Sequence, residues 1–565
     1  MNKKISIYQV LPRLFGNNNT RRVPNGTLQQ NGCGKFKDFT YKTLQEIKNL
    51  GITHIWYTGV IEHASQTDYS SYGIQASHPA IVKGKAGSPY AITDYYSVAP
   101  DLATDVSKRM QEFQQLIHRT HKSDLKVIID FIPNHVARSY HSTNTPSTSV
   151  PLGDKDNEEL SFSTENNFYY LPNTILSSNT FAPQYHSSPY IEQPAKATGN
   201  DRFDPYPTPN DWYETIKLNY GVDYLNGQQH FSPIPATWNQ MRDILLFWAE
   251  KGVDGFRCDM AEMVPVEFWN WVIPQVKKRY KELIFIAEVY TPSLYSTYLT
   301  QGKFDYLYDK VGLYDTLRAI ITHTQPASAI TSSWQSLNGL EKKMLNFIEN
   351  HDEQRVASTY FAGDPQKAVP ALLIAACLNT NPVMIYFGQE LGEEGMCQEG
   401  FSGLDGRTSI FDYWSVDKLI RWRNRNKFDG KLLTDEEKRI RKTYQKILNI
   451  ASKEKAISKG LFFDLMYVNM NGWRFNADKQ FSFFRKHEED LLLISVNFDA
   501  QPASVAINLP SHAFDYLQIP QYETIKAIEL LTNREESISL LPYRATEIKI
   551  PAYGGTIHKI KINNL

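Results

Sequence analysis

Cysteine is scarce in this chain, and the few cysteines show no pattern. Four of the 565 residues are cysteines, Cys33, Cys258, Cys377 and Cys397, with neither a CxxC pair nor a regular spacing. Zinc sites and disulfide frameworks depend on such spacings. We therefore expect reduced thiols or small core residues, and no zinc site or disulfide framework.

Long apolar runs and an excess of one charge are also missing. No run reaches the ~18 apolar residues of a membrane-crossing helix, so no membrane partner is expected. A net charge of −1 gives no reason to expect nucleic acid as a partner. The first segment, MNKKISIYQVLPRLF, is basic but lacks the apolar stretch of a signal peptide. A cytoplasmic location is the expectation, or a periplasmic one if a leader has been trimmed.

Aromatic residues, in contrast, are abundant. The chain has 33 Tyr, 29 Phe and 10 Trp. Most of these rings are expected in the core, but Tyr and Trp also provide flat surfaces for sugar rings. A length of 565 residues favours two or three domains.

Strand-like runs alternate with helix-like segments through most of the chain. Eight runs resemble strands: ISIYQV (5–10), ITHIWYT (52–58), KVIIDF (126–131), VDGFRCDM (253–260), LIFIAEVY (283–290), FDYLYD (304–309), KMLNFIEN (343–350) and PVMIYFG (382–388). A strand followed by a helix, repeated eight times, predicts an α/β fold of the parallel (β/α)8 type, a TIM barrel.

Two stretches depart from this alternation. A long segment rich in Ser, Thr, Asn, Pro and Tyr follows the third strand, and we interpret it as an irregular inserted domain. Near the end, short alternating runs such as FSFFRK and DLLLISVNF predict an antiparallel β domain. The predicted domains are a barrel at 1–135 and 236–455, an insertion at 136–235 and a C-terminal β domain at 456–565.

The segment GFRCDMAE places an arginine two residues before an aspartate in an apolar run. Side chains two apart on a strand point to the same face. Arg257 and Asp259 are therefore expected together, with Phe256 and Cys258 on the opposite face. Taken alone, a structural ion pair is the simpler account, because such pairs say little about function.

Acids also stand at the ends of other predicted strands. Glu288 stands near the end of the fifth run and Asp352 follows the seventh, so both should meet Asp259 at the barrel mouth, where such barrels carry their active sites. Three converging acids cost stability, so function explains them better than structure does. One ionised carboxylate as nucleophile and one protonated carboxyl as acid suit glycosidic bond cleavage. Arg257 would hold Asp259 ionised, and the pKa of Glu288 is expected to rise.

These motifs closely resemble those of the α-amylase family, glycoside hydrolase family 13. DFIPNH, GFRCDMAEM, FIAEVY and NFIENHD are similar to the four motifs of that family, in order and on strands three, four, five and seven. Three further segments resemble auxiliary motifs of the family: PYAITDYYSVAPDLAT (89–104), IKLN (216–219) and NPVMIYFGQE (381–390). The resemblance implies a barrel with a domain B inserted after strand three and a β-sandwich domain C at the end.

The resemblance also implies catalytic roles. Asp259 matches the nucleophile of the family, and Glu288 matches the general acid/base. Asp352 matches the carboxylate that binds O2 and O3 of the sugar and favours its distortion. Arg257 matches the arginine that is oriented against the nucleophile.

Three further residues match groups that hold the sugar in the −1 subsite. His135 and His351 match histidines that hydrogen-bond this sugar. Tyr90 matches the ring stacked under it, although this chain reads SPY where the family usually has HGY. A core role for Tyr90 is the alternative.

The chain departs from the family after the nucleophile. Many members have Ala-Lys-His there, and the last two residues serve the +1 sugar. This chain has Ala261, Glu262 and Met263 instead, so its +1 site must be built differently.

The resemblance implies calcium as a possible ligand, but we expect that catalysis requires no cofactor. Family members that bind calcium between the barrel and domain B use an Asn like Asn134, a carbonyl near Met263 and an acid from domain B. Lys217 occupies the position of that acid. A lysine cannot ligate a cation, but it could lie against Asn134 and supply the positive charge itself.

A second calcium site of the family would draw on FGNNNT (15–20). Asn17 and Asn19 could be ligands, but Phe36 stands where a second acid is expected. An Asn-rich turn is the alternative account of this loop.

The expected function is a retaining α-glucan hydrolase that acts mainly on α-1,4 bonds of starch-derived saccharides. The alternative in the same family is a glucan-transferring or sucrose/trehalose-converting enzyme. A non-catalytic glucan-binding protein would be expected to lack at least one acid, and all three are present. Linkage preference, endo or exo action and oligomeric state stay open.

Overall fold

The centre of the fold is a closed barrel of parallel strands. The computed structural model describes residues 4–562. Within that range one sheet contains eight parallel strands, β1 to β8: Ser6–Val10, His54–Tyr57, Lys126–Phe131, Gly255–Cys258, Ile284–Ala287, Tyr306–Tyr308, Met344–Leu345 and Val383–Tyr386. Strands adjacent in sequence are adjacent in the sheet, β8 pairs with β1, and a bridge from Asn346 to Val383 joins β7 to β8. The predicted (β/α)8 barrel is confirmed.

Both faces of the barrel wall are buried. The barrel interior is filled by apolar and aromatic side chains from several strands, among them Ile7, Trp56, Ile128, Ile286, Tyr308, Leu345 and Met384. The alternate positions, such as Phe256 and Cys258 on β4, belong to a separate outer layer under the helices. A strand buried on both faces needs apolar residues at nearly every position, which explains the continuous runs in the sequence.

Helices cover the outside of the barrel. Their bounds are Tyr41–Asn49, Arg109–Lys122, Ala236–Glu250, Val266–Arg279, Tyr295–Thr300, Asp315–Ile321, Ala329–Ser336, Ala368–Cys377, Asp417–Arg423 and Asp435–Lys453. The first of them shows how the sequence sets its ends. Thr40 caps its N-terminus by accepting a hydrogen bond from the backbone N–H of Thr43, and Gly51 follows its C-terminus with φ of 101°.

The segment between β3 and the helix Ala236–Glu250 is irregular. Its strands have two or three residues each: His135–Ala137, Tyr170–Leu171, Leu176–Ser177, Ile191–Glu192, Ala195–Lys196, Thr215–Lys217, Val222–Asp223 and Gln228–Gln229. Their antiparallel pairs tie the segment to itself, and the pair of His135–Ala137 with Thr215–Lys217 begins directly beyond β3. The domain boundaries at 136–235 stay a prediction.

The C-terminal region is an antiparallel β structure, as expected. Its strands β9 to β16 are Leu461–Asp464, Gln480–His487, Asp490–Asn497, Ala503–Ile507, Tyr522–Glu529, Arg534–Leu540, Thr546–Ile550 and Gly554–Lys561. They form a six-stranded sheet in the order β9-β10-β11-β16-β13-β14 and a separate pair of β12 with β15. The buried Arg485 of β10 donates to the carbonyl of Leu378 at 3.0 Å, which fixes this sheet against the barrel.

Three remaining expectations concern the ends of the predicted domains, the cysteines and membrane-crossing helices. The predicted domain ranges include residues 1–3 and 563–565, which lie outside the described residues. All four cysteines are described, and each is a free thiol. Among the helices of residues 4–562, none is both long and apolar enough to cross a membrane.

Candidate active site

Arg257 on β4 joins the predicted acids. Its Nη1 donates to Oδ1 of Asp259 at 2.7 Å, and its Nη2 lies 2.8 Å from Oε1 of Glu288, as an ion contact without hydrogen-bond alignment. Its Nε donates to the hydroxyl of Tyr308 at 3.2 Å, and Asp130 lies 3.5 Å from Nη1. Arg257 therefore holds two carboxyl groups side by side. Its segment alone suggested only a single structural ion pair with Asp259.

Aromatic rings enclose the Arg257 guanidinium. The rings of Trp56, Tyr90 and Tyr308 have their centroids 5.4, 5.4 and 5.5 Å from its central carbon. Such rings attract a cation while excluding water. In this dry setting the contacts of the guanidinium with carboxylates are stronger than they would be in solvent.

Glu288 follows β5 and has two further hydrogen-bond donors. The backbone N–H of Met260 donates to Oε2 at 2.8 Å, and the hydroxyl of Tyr290 donates to Oε1 at 2.6 Å. Met260 has a positive φ of 41°, a strained conformation for this residue that turns its N–H toward the acid. The sequence analysis missed Tyr290. Its signal was its position two residues after Glu288 in the same strand-like run.

The pKa of Glu288 is raised, as expected. Burial is the main cause, and the charge of Asp259 adds to it, while Arg257, Tyr290 and the Met260 N–H act in the opposite direction. Burial also raises the pKa of Asp259, and the Arg257 guanidinium opposes this rise. The two carboxyls share Arg257 as their main charged partner, but only Asp259 accepts a direct hydrogen bond from it, which favours the ionised form of Asp259.

Asp352 and His351 face these acids from the loop after β7. The Asp352 side chain is 45% exposed, so its carboxylate is open to a ligand, and Nε2 of His351 lies 3.2 Å from its Oδ2. Burial and the charge of Glu288 raise the pKa of Asp352, and the charge of Arg257 opposes the rise. Gln9 donates to Nδ1 of His351 at 2.8 Å, which leaves the ring proton on Nε2. Burial and Arg257 lower the pKa of His351 far below its usual value.

Tyr90 lies against His351. Their rings are stacked with centroids 5.2 Å apart, and the Tyr90 hydroxyl is 2.5 Å from Nε2 of His351. Tyr90 is only partly buried and lines the cleft, so its ring presents a face to a ligand. Tyr90 also packs against the hydrophobic core, so the core role stays an alternative to the stacking role.

His135 forms the opposite wall together with a residue of the inserted segment. Its ring centroid is 5.2 Å from that of Trp212. Burial, with Lys217 and Lys83 nearby, lowers the pKa of His135 to about 3, so the ring is neutral at pH 7. Trp212 was also missed by the sequence analysis, because its segment has no periodic pattern that predicts where a side chain points.

A cleft of about 580 Å³ runs between these groups. Six of the seven predicted site residues line it: Tyr90, His135, Asp259, Glu288, His351 and Asp352. Arg257 lies beneath them and is fully buried. Ile410 and Phe411, from the segment after β8, complete the wall.

Lys217 lies between the barrel and the inserted segment. Its ammonium donates to Oδ1 of Asn134, lies 2.6 Å from Oδ1 of Asp201 and 3.4 Å from the carbonyl of Met263. Burial lowers the pKa of Lys217, and Asp201 opposes the shift. The contact expected from the sequence is present. Asp201 is an additional partner that the sequence analysis did not identify.

The loop after β1 is organised by its own amides. Asn17 donates to the carbonyls of Asn31 and Trp414 at 2.8 Å, and its Oδ1 accepts the backbone N–H of Asn19. The guanidinium of Arg423 donates to the carbonyl of Phe15 at 3.2 Å. These hydrogen bonds are typical of an Asn-rich turn. In residues 4–562, no group of three or more His, Cys, Asp or Glu side chains has an arrangement suited to a metal ion.

Fold and site together define a class of enzyme. Three acids from three strands meet at the mouth of a (β/α)8 barrel, and one buried arginine holds two of them, an arrangement suited to glycoside hydrolysis. Residues 9–443 match the alpha amylase catalytic domain, which is most of the chain. The protein belongs to the alpha-amylase family and is a glycoside hydrolase of α-glucans.

Several known proteins are similar along nearly the whole chain. Alpha-amylase 3 of Dictyoglomus thermophilum is 23% identical, over 97% of this chain and 94% of its own. A cyclomaltodextrinase of Bacillus sp is 22% identical, over 88% and 73%. Among solved structures, the maltogenic alpha-amylase AmyB of Thermotoga neapolitana shares the fold with a TM-score of 0.63 and 20% identity, over 99% of both chains.

Proposed function

We propose that the protein hydrolyses mainly α-1,4-glucosidic bonds of starch-derived saccharides, with retention of the anomeric configuration. The observation that carries this proposal is the placement of Asp259 and Glu288 on the two terminal nitrogens of Arg257. Two carboxyl groups held by one guanidinium are expected to have the shorter separation of a retaining enzyme. Inverting enzymes need a separation of about 6.5–9.5 Å for the attacking water, whereas retaining enzymes have about 5–5.5 Å.

In the proposed mechanism Asp259 attacks the anomeric carbon while Glu288 protonates the departing oxygen. The hydrogen bond from Arg257 favours the ionised form of Asp259, and burial together with the Asp259 charge favours the protonated form of Glu288. When Asp259 becomes a glycosyl ester its charge disappears, so the pKa of Glu288 falls. Glu288 can then accept a proton from the water that releases the sugar.

The remaining cleft residues hold the sugar that reacts. Asp352 is the exposed carboxylate and accepts hydrogen bonds from two neighbouring hydroxyls. His351 and His135 are neutral and offer ring N–H groups or acceptors to the other hydroxyls. Tyr90 supplies the stacking face beneath the ring. These roles are supported by the common cleft, in which all four side chains point to one space.

The anomeric configuration of the first product tests the proposal. Maltotriose is digested in an NMR tube, and the anomeric proton signals are followed from the first minute. The α anomer should appear first and then relax to the equilibrium mixture. A first product in the β configuration would contradict both the retaining mechanism and the assignment of Asp259.

The same digestion with a labelled acceptor sugar separates hydrolysis from transfer. Label in longer saccharides would identify a glucan-transferring enzyme, which is the alternative. The chain lacks the family's usual +1 residues after Asp259, where it has Glu262 and Met263. Acceptor binding is therefore expected to be weak, and water to be the main acceptor.

We also propose that the enzyme requires no cofactor, calcium included. Support comes from Lys217, whose ammonium contacts Asn134, Asp201 and the carbonyl of Met263. These are oxygen atoms of the type that calcium prefers. A lysine in contact with all three leaves no room for the ion.

A further inference from the structure

The two ends of the active-site cleft are built by connections on opposite sides of the barrel. In a closed ring of eight strands, strands four places apart face each other, so the connection after β2 faces the loop after β6. Lys83 and Tyr90 belong to the connection after β2, whereas Lys310 and Val311 follow β6, and all four line the cleft. A saccharide that crosses the barrel mouth therefore has one end toward each of these connections.

The proposed mechanism decides which end of the saccharide lies on which side. Glu288 protonates the departing oxygen, so the leaving part of the substrate lies on its side of the cleft. Glu288 follows β5, which pairs with β6, and the leaving part therefore extends toward Lys310 and Val311. The sugar that reacts with Asp259 lies on the other side, toward the connection after β2. In a glucan this part carries the non-reducing end.

An ion pair stands at the side of the cleft that receives the non-reducing end. Nζ of Lys83 lies 3.1 Å from Oε2 of Glu214 in the inserted segment and 3.4 Å from the carbonyl of Asp211. The ring of Tyr213 lies against the ammonium, with its centroid at 5.2 Å. The side chains of Lys83 and Glu214 are only 12% and 5% exposed, and both residues line the cleft. This pair therefore joins the connection after β2 firmly to the inserted segment.

The connection after β2 is also fastened to the segment after β8. The backbone N–H of Ala86 donates to the carbonyl of Phe411 at 3.0 Å. Arg13, which is 2% exposed, donates to the carbonyls of Gly87 and Ile410 at 3.3 and 3.1 Å. The inserted segment, the connection after β2 and the segment after β8 thus form one continuous wall at this end of the cleft.

The opposite end of the cleft has no such closure. Lys310 lies 2.9 Å from Oδ1 of Asp315 and 3.3 Å from Oε1 of Glu353, and these two acids come from its own side of the barrel. Val311 is 40% exposed. Within residues 4–562, no hydrogen bond or ion pair links Lys310 or Val311 to the inserted segment. The cleft is therefore closed toward the non-reducing end of a bound glucan and open toward its reducing end.

We propose that the Lys83–Glu214 pair determines specificity by restricting the enzyme to the non-reducing ends of glucan chains. The proposal rests on the proposed function, because that function assigns the direction of the substrate. A glucan enters with its non-reducing end first and stops at the wall, so a short saccharide of one or two glucose units is released. An internal bond of a long chain is out of reach, because the chain would have to pass through Lys83 and Glu214.

A substrate with a blocked non-reducing end tests the proposal. Maltoheptaose and maltoheptaose that carries a 4,6-ethylidene group on its non-reducing glucose are digested separately, and the products are separated by chromatography. The unaltered enzyme should cleave the blocked substrate more slowly by roughly 10- to 200-fold, the discrimination that a fitted pocket achieves against a small extra group. Glucose or maltose should be the first product of the free substrate.

Two variants test the ion pair itself. Lys83→Ala and Glu214→Ala each remove one partner, so each should raise the ratio of blocked to free cleavage by roughly tenfold or more. Lys85→Ala is the matched control on the same connection. Its ammonium contacts Gln66 at 2.9 Å and does not line the cleft, so this variant should keep the ratio of the unaltered enzyme. Both rates are measured on one protein, so a partial loss of activity does not affect the ratio.

The possible results separate this proposal from the proposed function. Equal cleavage of both substrates by the unaltered enzyme overturns the restriction to chain ends and leaves the proposed function intact. Discrimination that persists in both Lys83→Ala and Glu214→Ala overturns the role of the ion pair. If neither substrate is cleaved, or if the first products are β anomers, the proposed function fails and this proposal fails with it.

Discussion

The hydroxyl of Tyr290 donates to Oε1 of Glu288 at 2.6 Å, only two residues along the chain from it. The same oxygen lies 2.8 Å from Nη2 of Arg257, so one oxygen of the proposed acid has both a hydrogen bond and an ion contact. Both contacts stabilise the ionised carboxylate. The strength of the acid therefore depends on a residue that contributes no charge of its own.

Removal of this donor should shift the pH profile. Tyr290→Phe takes away a hydrogen bond that lowers the pKa of Glu288, so this pKa should rise. Glu288 acts in its protonated form, which is lost as pH increases through the pKa. The basic limb of kcat/KM should therefore move to higher pH. Tyr295→Phe is the control, because the buried Tyr295 hydroxyl has no partner among the described residues; an unmoved limb in Tyr290→Phe would contradict the proposed link.

Glu288→Gln should lose roughly 10²–10⁴-fold in activity on maltotriose, the usual contribution of a general acid. The amide keeps the shape of the side chain but cannot protonate the leaving oxygen. Substrates with very good leaving groups need little protonation, so a burst of released leaving group should survive. Comparison of a nitrophenyl glucoside with maltotriose measures this difference, and near-normal cleavage of maltotriose would show that the acid has been misassigned.

Tyr90→Ala should weaken sugar binding by very roughly 1–3 kcal/mol, as for loss of one stacked ring. Tyr90→Phe keeps the ring but loses the hydroxyl near His351, so it should retain most of the affinity. Maltotriose binding to each variant in the Glu288→Gln background measures the two effects separately. Equal affinities of the Ala and Phe variants would exclude a stacking role.

EDTA should change neither the activity nor the melting temperature of the enzyme, because Lys217 supplies the positive charge between Asn134 and Asp201. A large loss that calcium alone restores would contradict this expectation.

Replacement of Lys217 by an acid should make the protein dependent on a cation. Lys217→Met leaves buried oxygens unpaired and should cost about 1–3 kcal/mol of stability. Lys217→Asp creates an additional carboxylate beside Asp201, and calcium should raise the melting temperature of this variant alone. A calcium effect of the same size on the unaltered chain would show that the ammonium does not fill the site.

The eight barrel strands were predictable from the sequence because each has to be apolar on both faces. The residues at which these strands end were harder to predict. The seventh run was predicted over 343–350, but β7 ends at Leu345, and only an isolated bridge from Asn346 continues the pairing. Tyr522–Glu529 and Arg534–Leu540 were not identified as strands, because their exposed charged residues dilute the alternation on which the prediction depends.

The sequence by itself determined which acids meet, since Asp259, Glu288 and Asp352 each follow a strand and parallel strands end at one mouth. The resemblance to the α-amylase family also predicted that Lys217, at the position of an acid in other members, lies near Asn134. Only the tertiary structure decided that Arg257 bridges two carboxyls, that Tyr290 turns toward Glu288 and that Trp212 reaches His135. The physical reason is that a strand pattern fixes the face of a side chain, whereas side-chain contacts depend on loops and packing that no local period encodes.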